Sequence, residues 1–355
     1  MASLNTRVRP AFIPELHAFR GFAIINIAAI HCWVEAIHFL GRGPAWPGDR
    51  YLAAVNEALF HGSTLYFALI SGLLYSAVLR DHAWPTFFRR KLTNVVVPYV
   101  IFTTALTAMN WPPPDGSGGD LSGFAVRVVA HLLNGSAMYH LWYIPVLVLL
   151  YLSTPLIAVI LEHAKAKWLI YPLMLVPLVS PRVWPQFSWI TYLYFLGAYC
   201  VGIYLGRSYA AKMELVVKWK TPILATAIVM TALLVYAYII GWSTIAGLPF
   251  RESLFYLQKI SIAVLILVLL RAQGKGSPRV LDPLATYAFT IYFLHALLIY
   301  WFRVGLNGLD LPSPGLAGTV LWGGAFLVAS VALSVIFAVI VRRVLGKWSR
   351  PLIGT

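Results

Sequence analysis

Apolar positions gather along this chain into ten stretches that read as candidate membrane helices. They fall at about 13–37, 56–79, 94–111, 141–161, 168–180, 189–206, 221–241, 254–271, 284–304 and 317–341. A helix needs about 20 apolar residues to cross a bilayer, and most of the stretches meet that length. The fifth is the shortest and is rich in proline. Pro112-Pro113-Pro114 ends the third stretch, because consecutive prolines cannot continue a helix. Residues 122–134 read as an amphipathic helix on the membrane surface rather than a span. The pattern predicts an all-α, polytopic membrane protein of about ten transmembrane helices, organised as a single domain over residues 1–355.

Composition strengthens this picture. Of 355 residues, 60% are hydrophobic and 11% charged, with a mean hydropathy of +0.78, whereas soluble domains carry about a quarter charged residues. The net charge of +15 raises the possibility of a nucleic-acid partner. Its distribution argues against one. With the N-terminus inside, nineteen lysines and arginines fall in cytoplasmic segments and six on the other side. That loop-by-loop bias is the positive-inside pattern, and it predicts both termini in the cytoplasm. Cys32 and Cys200 both lie in apolar runs, so neither a disulfide framework nor a cysteine metal site is expected. The polar residues Ala2–Pro10 do not form a cleavable signal, which leaves the first span as the insertion signal. There is no internal repeat.

Within the first stretch stand Arg20 and His31, separated by ten residues. An ionisable side chain at membrane depth is costly and marks a functional site by default, and histidine adds a group that exchanges protons near neutral pH. His31, Glu35 and His38 follow i, i+4, i+7 spacing and share a helix face. A carboxylate one turn from a histidine fits a general base, or Glu35 and His38 are hydrated at the interface. A metal reading of these three lacks a fourth ligand. Ser71-Gly72 in the second stretch is either a packing pair or the wall of a pocket. Arg89, Arg90 and Lys91 before the third stretch serve as topogenic charge or as a clamp for a diphosphate donor. His140 and Trp142 open the fourth stretch and suit an interfacial belt or a sugar platform, while Tyr292 and His295 interrupt the ninth.

Taken together, these residues resemble the acyltransferase-3 family of membrane O-acyltransferases. The resemblance is carried by Arg20-Gly21 with His31, by Phe67-Ala-Leu-Ile-Ser71-Gly72, by Tyr139-His140-Leu141-Trp142-Tyr143 with Tyr151-Leu-Ser-Thr-Pro155, and by Ile291-Tyr292-Phe-Leu-His295. It implies that His31 takes part in acyl transfer and that Arg20 is required; Glu35 is the candidate carboxylate near His31 on its helical spacing alone. On the reading of the residues themselves, Arg89, Arg90 and Lys91 are the candidate donor-binding group, and Ser71, His140, Trp142, Tyr292 and His295 the candidate acceptor side or pocket. Two departures stand out. The family's paired arginines before the third helix align with Lys91 and Asn94, ahead of Pro98, and the position three before Arg20 is His17 instead of aspartate. The resemblance implies acetyl-CoA as donor substrate, no resident cofactor, a glycan or lipid-linked oligosaccharide acceptor and a bacterial inner-membrane location. The alternative is a polysaccharide exporter or proton-coupled transporter that makes no bond. Such a carrier would not need Arg20 and His31 in this relation, and transporters often show the repeat symmetry this chain lacks.

Overall fold

A computed structural model describes residues 12–38, 49–112, 119–183, 187–273, 279–306, 309 and 315–354. Among them the only regular elements are helices. Helix α1 (Pro14–His38) starts with proline in its first turn, where the missing N–H costs nothing. The second span is broken: α2 (Asp49–Phe60) and α3 (Thr64–Leu74) are separated by a turn around Gly62, whose φ is 73°. A π-helical turn, Tyr75–Leu79, extends α3. The third span begins ten residues earlier than the sequence pattern implies, as α4 (Trp84–Lys91), a π turn at Leu92–Val96 and α5 (Val97–Met109). Next come α6 (Leu121–Asn134) and α7 (Tyr143–Glu162).

Helix α6 is the surface helix foreseen from the sequence. None of its residues is buried, and Leu121, Val126, Val129 and Leu133 stand exposed. Hydrogen bonds from Ser122 Oγ (2.7 Å) and the Gly123 N–H (2.9 Å) cap its start on Asp120 and hold that carboxyl below its ordinary range.

The remaining elements are α8 (Ile170–Leu175), α9 (Trp189–Gly206), α10 (Tyr209–Lys218), α11 (Lys220–Ile240), α12 (Phe250–Ala272), α13 (Leu281–Thr286), α14 (Ala288–Leu306), α15 (Gly315–Leu345) and α16 (Ser349–Ile353). Among the described residues nine helical segments are long and apolar enough to cross a membrane, which makes this a multi-pass membrane protein. The fifth expected stretch is shorter than a full span. Pro172 and Pro177 divide it into 3₁₀ turns on either side of α8, covering Lys167–Leu178. It nonetheless runs antiparallel along α9. Tyr171 meets Tyr204 at a ring distance of 5.8 Å, Pro177 lies against Gly197, and Ser180 Oγ donates to the Ile190 carbonyl at 3.2 Å.

Close backbone approach sets the centre of the bundle. A Cβ on Gly202 would sit 2.0 Å from the Leu69 carbonyl oxygen, and one on Gly72 would sit 2.1 Å from that of Tyr199. Helices α3 and α9 therefore touch backbone to backbone, as small residues permit in membranes. Helix α1 lies inside, packed against α2, α3 and α12–α15. Helix α11 lies at the periphery, with only Ala227, Leu234 and Ala237 buried.

Candidate active site

His31 follows Arg20 by eleven positions, about three helical turns, so both side chains leave the same face of α1 about 16 Å apart along its axis. Their neighbours Phe19, Ala23, Ile24 and Ala28 are wholly buried. Arg20 and His31 remain only half-buried, as expected of groups that line an internal polar passage.

At the Arg20 end, Lys91 turns inward, its Nζ 4.1 Å from the centre of the Tyr151 ring and 5.3 Å from that of Phe87. Lys91 and Arg20 lie within electrostatic range of each other, and Arg20 also senses Tyr151 and Arg350. Ser71 Oγ meets the Tyr151 hydroxyl at 3.5 Å. Of the three cations foreseen before the third span, only Lys91 enters this group; Arg89 and Arg90 are exposed. The two roles considered for Ser71-Gly72 separate, with Gly72 packing on α9 and Ser71 facing Tyr151.

At the other end His31 is ringed by aromatic side chains from two distant segments. Its ring centre lies 4.9 Å from Tyr139, 5.4 Å from His295 and 6.5 Å from His140. His140 and His295 are 4.9 Å apart, and His140 is 5.1 Å from Tyr292. The Tyr292 hydroxyl donates to the His140 backbone carbonyl at 2.5 Å, which ties the turn before α7 to α14. His295 Nδ1 bonds to the Ile291 carbonyl at 2.9 Å. This assigns the proton to Nδ1 and leaves Nε2 as an acceptor without a protein partner. Both ring nitrogens of His140 are buried without a hydrogen-bond partner among the described residues as well. The histidines do not form a metal-holding group among the described residues.

Glu35 does not take the place beside His31 that its spacing suggested. Its carboxylate pairs with Arg303 Nε at 3.7 Å, so α14 supplies its counter-charge. Trp142 is buried against Phe195 (5.7 Å) and Tyr143 (5.9 Å), with Arg182 5.9 Å from its ring; it is not among the rings around His31. Tyr143 belongs to the motif read from the sequence but is not among the candidate site residues. Its buried hydroxyl has no hydrogen-bond partner among the described residues and lies within electrostatic range of both Tyr151 and Tyr292, so it stands between the cationic end and the histidine end. A tyrosine opening an apolar helix is indistinguishable in sequence from an interfacial anchor.

The arrangement offers cations for an anionic group at one end, imidazoles at the other and aromatic walls between. Residues 13–339 match the family described as an acyltransferase domain, Acyl_transf_3. YfiQ of Bacillus subtilis (strain 168), named as a membrane-bound acyltransferase, is 22% identical over 316 residues, covering 85% of each chain. No solved structure matches the chain. With the match running from the start of α1 almost to the end of α15, this chain belongs to the acyltransferase-3 family and is a multi-pass membrane acyltransferase.

Proposed function

We propose that this protein is a bacterial inner-membrane O-acetyltransferase that moves the acetyl group of acetyl-CoA to a hydroxyl of a surface glycan or lipid-linked oligosaccharide. The observation that carries the reading is the common face of α1, which puts Arg20 among cations and His31 among histidines about 16 Å further on. Arg20, Lys91 and Arg350 would meet the phosphates of the donor through charge-assisted hydrogen bonds. The pantetheine arm would extend past Tyr151 and Tyr143 and bring the thioester to His31. Among the described residues no carboxylate is bonded to His31, since Glu35 pairs with Arg303 and Glu57 with His61. A histidine so placed suits the nucleophile's part better than the base's, because a base gains from a carboxylate that stabilises its imidazolium. His31 therefore attacks the thioester carbonyl carbon, the C–S bond breaks, and the acetyl group stays on the imidazole as CoA leaves as thiolate.

The test has two parts. Mass spectrometry of envelope glycans from cells with and without the gene should show a 42-dalton increment lost with the gene, and unchanged glycans would reject the acceptor class. In membranes given radiolabelled acetyl-CoA, His31→Ala should insert normally and take up no label, with glycan acetylation down by about a thousandfold or more. Acetylation near the wild-type rate in that variant would remove His31 from the chemistry.

A further inference from the structure

The break in the second span holds a histidine–carboxylate pair that the scheme above leaves unused. His61 Nδ1 lies 2.6 Å from Glu57 Oε2, and the Tyr238 hydroxyl donates to the same oxygen at 2.9 Å. Both side chains of the pair keep access, at 26% for His61 and 22% for Glu57. The break itself is built. Gly62 turns the chain, and the carbonyls released at the end of α2 are taken up by α12: Lys259 Nζ donates to Leu59 O (2.7 Å), and Gln258 Nε2 to Ala58 O (2.9 Å). A buried lysine at a helix C-terminus is favoured by the helix dipole as well as by these bonds. The charged and titratable groups facing the pair are Lys259 from α12, Arg182, and Arg251 above the Tyr238 ring at 4.5 Å.

This pair is level with His31. Trp33 of α1 stacks on Phe60 of α2 at 5.5 Å and 14°. The two helices run in opposite directions, so His61, the turn residue just after Phe60, and His31, two residues before Trp33, lie at similar depth. His61 and Glu57 are within electrostatic range of His31. The other histidines near His31 differ in two respects. His140 and His295 are buried at 3% and 0%, and neither has a carboxylate partner among the described residues.

We infer that His61, oriented by Glu57 and Tyr238, is the base that takes the proton of the acceptor hydroxyl. The inference rests on the reading that His31 carries the acetyl group. His31 attacks as neutral imidazole and keeps its N–H on the other ring nitrogen, so the product is an acetylimidazolium with no lone pair left to deprotonate the acceptor, and the second step needs another base. With its Nδ1–H given to Glu57, His61 presents Nε2 as a free acceptor. The acceptor O–H passes its proton to His61 Nε2 as its oxygen forms a bond to the acetyl carbon. The C–N bond to His31 then breaks, and His31 leaves as neutral imidazole. The His61 proton is released to water, and the CoA thiolate takes a proton on its own side, which restores both groups.

Membranes containing the wild type, His31→Ala, His61→Gln or Glu57→Gln would be given acetyl-CoA labelled in the acetyl group. The readouts are label on the protein, on the endogenous envelope glycan and on added hydroxylamine, whose uncharged nitrogen attacks an acyl-imidazole without a base. His61→Gln should charge within about threefold of the wild-type rate, hold its label, and pass it to glycan about a hundredfold or more slowly. Its transfer to hydroxylamine should match the wild type. Glu57→Gln should show the same split at about tenfold or more, and it decides the matter if His61→Gln fails to accumulate. Glycan transfer within about threefold of wild type, or an equal loss toward glycan and hydroxylamine, overturns the inference alone. An unlabelled wild type, or a labelled His31→Ala, overturns the acetyl-His31 reading and this inference with it.

Discussion

Arg20 shares its surroundings with two other cations, Lys91 and Arg350, and with the hydroxyl and ring of Tyr151. Among the described residues no carboxylate is paired with Arg20; like charges held together in that way are costly, and an anionic ligand relieves the cost. Arg20 should therefore be needed for more than its charge, since a guanidinium presents a planar fork that an ammonium cannot copy. Arg20→Lys is expected to insert normally and lose most of its activity, with Arg20→Ala losing at least as much. Full activity in Arg20→Lys would show that a point charge suffices. Lys91→Met should raise the KM for acetyl-CoA by about tenfold or more, because the lysine turns inward. Arg89→Ala and Arg90→Ala, on the exposed face, should move it by less than about threefold. Steady-state kinetics on the three variants reads the difference directly, and equal effects would place the donor elsewhere. Arg20 and His31 were legible from sequence because intramembrane charge is expensive wherever it occurs. The choice among Arg89, Arg90 and Lys91 was not. It depends on the helix face presented by α4 before the π turn at Leu92–Val96, and neighbouring residues on a helix point about 100° apart. Glu35 misled for a related reason, since its partner Arg303 comes from a helix some 270 residues later in the chain.

Among the elements, α3 and α9 form the tightest contact, and the site depends on it because Ser71 precedes the glycine buried there. The carbonyl that a Cβ on Gly202 would meet at 2.0 Å belongs to helix backbone and cannot swing aside. Gly202→Ala should therefore lower stability by about 2 kcal/mol or more, despite alanine's better helix propensity. Gly324 of α15 has nothing within 4 Å of its Cβ position, so Gly324→Ala should be neutral or mildly stabilising. Unfolding midpoints in a denaturing detergent would compare the two, and similar midpoints would mean that α3 and α9 can part without cost. Helix existence followed from apolar run length, which is why nearly every span was foreseen. The break at Gly62 was not, because the groups that stabilise it, Gln258 and Lys259, lie some 200 positions away and read in sequence only as polar interruptions of α12. Nor did sequence reveal the extent of the third span, whose early start in α4 is polar on its exposed face.

At the scale of the molecule the open quantity is orientation, and it turns on the short segment between α7 and α9. Positive charge divides nineteen to six between the two sides only if Lys167–Leu178 crosses the membrane; if it does not, every later loop changes side. Its contacts favour a crossing. Tyr171 lies beside Tyr204 near one end of α9 and Ser180 bonds to Ile190 near the other. The segment thus covers fourteen residues of α9, about 21 Å, with a short helix, two 3₁₀ turns of larger rise and an extended tail. Its partners are α9 and α12, to which Tyr256 and Ser253 bind it through the Met174 and Leu178 carbonyls at 2.6 and 2.8 Å. Side chains of α12 thereby bond two carbonyls of this irregular segment, as irregular backbone at membrane depth requires. Because Cys32 and Cys200 are both buried and unpaired, replacing them with alanine gives a cysteine-free background. Single cysteines would then be placed at Lys165, Val183, Lys218 and Ser243, all exposed. On intact cells an impermeant maleimide should label Val183→Cys and Ser243→Cys, while Lys165→Cys and Lys218→Cys should react only after permeabilisation. Labelling of Lys165→Cys together with Val183→Cys would show that the short segment does not cross. Labelling of Lys165→Cys and Lys218→Cys alone would invert the molecule, and the Arg20 end would then face away from the cytoplasmic pool of acetyl-CoA.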